Sequence, residues 1–218
     1  MPASTSSLPR RLQSGKAKEA YQSLLKRLLT NQLVPGQILN RREVANELGM
    51  SVSPVLEAML HLEMEGFLQS IARKGTQVAP IQEDEVRGNL ILREAIECEA
   101  ARFYCGEPVR RDLERLEPLA RRLDETDADI LPHWQLELEF HRELVRLVGS
   151  DPLLRELDRF IRLSMFYGVH KYTHSHAQSH QRHLVLLEAL CDADPDEAER
   201  LVRDHVRSGK SPLANGLP

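Results

Sequence analysis

Four side chains in the C-terminal half of the chain could together hold a metal ion. Glu137 and His141 stand four apart in WQLELEFHRELV, so on a helix they share one face. His183 and His205 fall in the last two helical patterns of the chain. Three helices of a bundle can aim such a set at one point in the core, the usual way bundles build metal sites. Imidazole and carboxylate together suit zinc, nickel or a similar divalent ion. Taken singly, a histidine near a helix end is more often a surface or satisfied polar residue. The same donor set would also fit a metal-dependent hydrolase, but the chain has neither H-E-x-x-H nor the paired E-x-x-H motifs of di-iron bundles. Eight of the nine histidines lie after residue 132. Among them His170, His174, His176 and His180 read mostly as exposed polar side chains near a loop, although His176 and His180 share a face with His183 and could offer alternative ligands.

The elements that must position these groups are helical. From Gln82 onward the periodicity predicts six helices, near 83–105, 109–126, 133–148, 151–172, 176–192 and 195–208, with no strand pattern. Pro118 should kink or split the second of them. The last has a strong start, with Asp194 as cap, Pro195 at the first position and Glu197 at the third. Residues 16–80 read differently. A helix is expected from about Lys16 to Asn31, with Ala20, Leu24, Leu25, Leu28 and Leu29 on one face, closed by the turn at Val34-Pro35-Gly36. Asn40 can cap a second helix with Glu43 as capping-box partner, Gly49 suits a left-handed helix end, and Ser51 can cap a third helix that tolerates Pro54 in its first turn. Phe67–Ile71 and Thr76–Ala79 then form two short strands around Ala72-Arg73-Lys74-Gly75. The expected architecture is mostly α: a winged helix-turn-helix over 16–80 and an all-α six-helix bundle over 81–209, with loose tails at 1–15 and 210–218.

Composition narrows the function classes. At 218 residues, 41% apolar and 28% charged, the chain has the make-up of a soluble globular protein. No apolar run approaches a membrane span and the N-terminus lacks a secretory pattern, so a cytoplasmic location is expected. Cys98, Cys105 and Cys191 are odd in number, match no zinc spacing and read as reduced thiols. Net charge is −4. Residues 1–80 carry ten Lys/Arg against six Asp/Glu, and the remainder nineteen against twenty-seven. A basic head on an acidic body suits a DNA-binding unit joined to a part with another task.

The head has contact residues where a winged helix needs them. A helix-turn-helix braces one helix across the DNA backbone while the next enters the major groove. Arg41 and Arg42 open the second helix. Ser51, Ser53 and His61 lie on the third. Arg73, Lys74, Gly75 and Thr76 form the wing tip, where glycine lets the backbone turn and approach closely. Any one of these cations is an ordinary solvated charge; together they mark the contact points of one motif.

The stretch LVPGQILNRREVANELGMSVSPVLEAMLHLEMEGFLQSIARKGTQVAP resembles the winged helix of GntR-type bacterial transcription regulators. The rest of the chain, after Pro80, resembles the all-helical FCD effector domain of that family, so the likeness spans almost the whole sequence. It implies a ligand-responsive regulator that binds double-stranded DNA as a homodimer and responds to a small organic acid. Many FCD domains carry D-x-x-x-H in the third helix and one histidine in each of the last two. Glu137-Leu-Glu-Phe-His141, Arg182-His183 and Asp204-His205 fall at those places, with Glu137 for aspartate, so the longer carboxylate must fold back or shift the ion. Arg93 matches an arginine that often faces the effector cavity and could clamp a carboxylate; pairing with Glu97 four residues on is the other reading. Arg42 matches one DNA-facing arginine of the family. Two others are replaced by Val52 and Leu56. With Leu60 these make an apolar strip that either reads thymine methyl groups, helped by Ser51, Ser53 and His61, or serves a protein contact in an interaction module that has lost DNA binding.

Overall fold

The structure is a computed structural model that describes residues 12, 14–125, 130–171 and 182–208. It divides into two compact units between Ile81 and Gln82.

In the first unit, α1 (Gly15–Leu29) starts at Ser14, whose hydroxyl accepts the Ala17 N–H at 3.0 Å. Its Ala17, Ala20, Leu24 and Leu28 are fully buried. They pack on α3 (Val52–Met64), which buries Val55, Ala58, Met59 and Leu62. Between them α2 (Arg41–Glu47) is capped by Asn40, whose side-chain oxygen accepts the Arg42 N–H at 2.9 Å. The expected capping box forms differently: Glu43 accepts the Asn40 side-chain amide at 3.3 Å instead of its backbone N–H. Gly49 takes φ +62°, the left-handed conformation that ends α2 and that a β-carbon would disfavour. Ser51 has the extended backbone of a cap, yet its hydroxyl accepts no capping bond.

Strands β2 (Leu68–Ile71) and β3 (Gly75–Val78) form the expected hairpin. A third strand, β1 (Ile38–Leu39), pairs antiparallel with β3, Ile38 opposite Gln77 and Leu39 opposite Thr76. The sheet order is β1-β3-β2. Two residues carry too little alternation to announce β1 in sequence; long-range pairing creates it. Glu63 of α3 ties the hairpin down by accepting the Ser70 N–H at 2.7 Å and its hydroxyl at 3.0 Å.

The second unit is all helical among its described residues: α4 (Glu83–Tyr104), α5 (Glu107–Arg111), α6 (Leu113–Asp124), α7 (Ile130–Arg146), α8 (Asp151–Lys171), α9 (Arg182–Asp192) and α10 (Pro195–Ser208). Helix α4 is central and packs against α7, α8 and α10, while α6 packs against α7 and α9. Tyr104, Leu116, Leu123, Phe140, Leu144, Leu157 and Phe166 fill the core. The split expected at Pro118 falls six residues earlier. Asp112 ends α5 and opens α6, and its carboxylate takes Arg115 at 2.9 Å. Pro118 stays inside α6, tolerated because it and Glu114, whose carbonyl it leaves unbonded, are exposed. Asp194 caps α10 as expected, accepting the Glu197 N–H at 2.9 Å. His174 and positions 176–181 of the expected fifth helix, with His176 and His180, lie outside the described residues, as do most of the two expected tails.

Candidate metal centre and nucleic-acid interface

The side chains of α7, α9 and α10 bring His141, His183 and His205 together, with one ring nitrogen from each within 4.8 Å of the others. All three residues are buried. Glu137, one turn before His141, divides its carboxylate between two of the rings. Its Oε1 lies 3.1 Å from His183 Nε2 and its Oε2 lies 3.2 Å from His141 Nε2. His133, a further turn back, brings its Nε2 to 3.9 Å of Glu137. Phe140 stands edge-on to both His141 and His183, an apolar wall that holds the rings at their angles.

Two carboxylates outside the expected ligand set fix these rings from behind. His141 Nδ1 lies 2.5 Å from Glu97 Oε2, on α4. His183 Nδ1 lies 2.6 Å from Asp124 Oδ1, the last residue of α6. Asp124 also accepts the backbone N–H groups of His183 and Leu184 at 3.1 and 3.0 Å, so it caps α9 from another helix. Carboxylates held in the ionised form only accept, so each Nδ1 must donate, and each Nε2 is turned toward the common point at Glu137.

The charges are strongly coupled. Burial alone would raise the Glu97 carboxyl, but Arg93 and His141 outweigh it and hold it at about 2. Burial opposes protonation of His183, yet Asp124 and Glu137 lift it to about 9. His141 is likewise raised, by Glu97 and Glu137 against burial. Partial burial opposes ionisation of Glu137, yet the two imidazoles drive it well below the carboxylate range. His205 is pushed well down, first by burial and then by the positive charge of its two neighbours. In the absence of a cation, protons on these rings balance the Glu137 carboxylate; once an incoming ion displaces them, neutral imidazoles and one carboxylate would form a donor set that fits a divalent cation.

Arg93 is buried and pairs through Nε with Glu97, both side chains less than 5% exposed. The pairing with Glu97 is present, in the interior instead of at the surface. A signal for Glu97 existed in the sequence: Leu90, Arg93, Glu97 and Ala101 follow helical spacing, so two charges sit on the stripe that faces the core. Asp124 had none, being 59 residues from its partner.

In the first unit, Arg42, Arg73, Lys74, Ser51, Ser53 and Gly75 are exposed. Gly75 takes φ +105° at the wing tip, where a side chain would strain the turn. Three expected contact residues are placed differently. Thr76 is 2% exposed and belongs to the wing interior, not to its outer surface. Arg41 turns back toward it, with Nη2 3.5 Å from the Thr76 hydroxyl. His61 stacks edge-on to Tyr21 of α1 at 5.7 Å, with Nδ1 3.7 Å from Glu65, so it faces the helix packing and not the outer face of α3. Replacing Arg42, Arg73 or Lys74 with alanine is expected to reduce the salt dependence of DNA binding by about one unit in the slope of log K against log salt. Fluorescence anisotropy over a salt series measures it, and three unchanged slopes would show that these cations touch no phosphate.

Helix-turn-helix and wing together define a winged-helix DNA-binding unit, continued in the chain by a helical unit with a buried histidine–carboxylate cluster. Comparison with known proteins makes the class specific. Residues 16–78 match the family of bacterial regulatory proteins of the gntR type, and residues 90–208 match the FCD domain. An HTH-type transcriptional regulator in an unstable DNA locus of Streptomyces ambofaciens is 28% identical over 198 residues, covering 88% of this chain and 82% of the other. The Nta operon transcriptional regulator of Aminobacter aminovorans is 28% identical over 177 residues, covering 79% and 82%. The crystal structure of a GntR transcriptional regulator from Rhodococcus sp. RHA1 superposes with a TM-score of 0.76 at 18% identity, over 94% of this chain and all of that one. The chain belongs to the GntR family of DNA-binding bacterial transcription regulators, in the group that carries an FCD domain. It is a regulator and not an enzyme.

Proposed function

We propose that the helical unit is the sensor of this regulator and that it holds one divalent ion, zinc or nickel, through Glu137, His141, His183 and His205. The observation that carries this is the convergence of two Nε2 atoms on Glu137 while Glu97 and Asp124 hold both Nδ1 atoms from behind. An imidazole oriented in that way has its tautomer and direction set before a cation arrives. Bound there, the ion would serve as a Lewis-acid anchor for an oxygen of the effector. A small organic acid is the effector class this reading takes, because a carboxylate oxygen could complete the coordination of such an ion. The regulator would act in the cytoplasm as a homodimer, pairing through its helical units and presenting two winged helices to two DNA half-sites. No helix among the described residues is long and apolar enough to cross a membrane.

Native mass spectrometry of the full chain, purified without chelator, tests both parts. A dimer with one divalent ion per chain is expected. A monomer, or a dimer that carries no ion after incubation with zinc or nickel, would overturn the corresponding part.

A further inference from the structure

We propose that α3 recognises its operator through thymine methyl groups, with Val52, Leu56 and Leu60 as the contact residues and Ser53 as the hydrogen-bonding side chain among them. The proposal rests on DNA binding by the winged helix. Helix α3, VSPVLEAMLHLEM, contains no lysine or arginine. Its core side is taken up by Val55, Ala58, Met59 and Leu62. Its outer side presents Val52 at 40% and Leu60 at 47% exposure, with the half-buried Leu56 between them and Ser53 exposed alongside. His61, the helix's one nitrogen-bearing side chain, is held at Tyr21 and Glu65. Exposed cations lie on either side of this helix in the chain, Arg42 on α2 and Arg73 and Lys74 at the wing. Phosphate contacts can thus be made without α3, leaving it to meet base edges.

The chemistry of those edges then decides. In the major groove, the C5-methyl of thymine is the apolar feature of the base pairs; the other exposed groups are donors and acceptors. Valine and leucine gain by covering a methyl, but covering a donor or acceptor strips its water and returns no hydrogen bond. The row therefore favours A·T pairs with thymine beneath it and disfavours the guanine that arginines would select. The length of the row agrees. Val52, Leu56 and Leu60 stand four apart and follow one side of the helix over about 12 Å, a span of roughly three or four stacked base pairs.

The first arm of the test uses the full-length protein without substitution. Duplexes are selected from a random library, and each thymine of the selected site is then replaced by deoxyuridine, which lacks only the methyl. Selection of A·T pairs in each half-site is expected, with a loss of about fourfold in affinity for each contacted methyl removed. In a second arm, the double variant Val52→Arg with Leu56→Arg is expected to shift selection toward guanine and to lose sensitivity to deoxyuridine. A selected site whose affinity survives every deoxyuridine replacement would overturn the proposal while leaving DNA binding intact, and would leave the apolar row to a protein contact. Failure to select any duplex at low salt would overturn DNA binding by this chain and the proposal with it.

Discussion

Replacing Glu97 with alanine is expected to destabilise the helical unit by about 3–5 kcal/mol and to lower its affinity for a divalent ion by about 10–100-fold. Both effects have one origin. Glu97 lies between Arg93 and His141 in the interior, its side chain 2% exposed. Without it the guanidinium remains buried with its partner gone, and a buried charge that has lost its counter-charge costs far more than the pair contributed. The His141 ring also loses the acceptor that fixes its Nδ1 proton, so Nε2 is no longer held toward Glu137. Urea denaturation measures the first effect and competition with a coloured chelator the second. Glu97→Gln separates them, since it keeps the shape and one acceptor but removes the charge. If metal affinity changed less than about threefold in both variants, Glu97 would have no part in orienting the ring.

Metal loading should have an effect of similar size and opposite sign. A ligand present at a thousand times its dissociation constant stabilises the form that binds it by about 4 kcal/mol. For a chain of this length that corresponds to a rise in the unfolding midpoint on the order of 10 °C. Zinc or nickel is expected to produce the rise, a chelator to reverse it, and His183→Ala to abolish it. Equal midpoints by scanning calorimetry with chelator, zinc and nickel would remove the metal from the proposed sensor.

The fold was largely legible because its signals are local. The turn at Gly49, the caps at Asn40 and Asp194, and the 3.6-residue periodicity of α4, α7 and α8 all lie within one turn or one helix. The features that escaped depend on contacts between distant segments. Strand β1 exists through its pairing with β3, and the break before α6 comes from Asp112 rather than from the more conspicuous Pro118. The set Glu137, His141, His183 and His205 could be named because each lies where the FCD resemblance puts a ligand; helical spacing alone offered it only as one option. Its supports could not be found in the same way. Asp124 acts through tertiary placement alone. Thr76 and His61 show the converse: their positions suit a contact surface, but Thr76 is buried in the wing and His61 is held half-buried against Tyr21 and Glu65.

The way Asp124 caps α9 has a consequence for how the protein comes into being. The groups that build the centre run from Glu97 to His205, and the Asp124–His183 contact closes a loop of 59 residues. Contacts of such separation form only after most of the chain entropy has been removed, so they belong to the late, slow part of folding. A nascent chain emerging from the ribosome would have Glu97, Asp124 and Glu137 long before His205, and could not complete the donor set until its last helix was released. The proposed donor set is therefore complete only once the last helix has been released and has folded back, so no partly synthesised chain could hold an ion through all four groups.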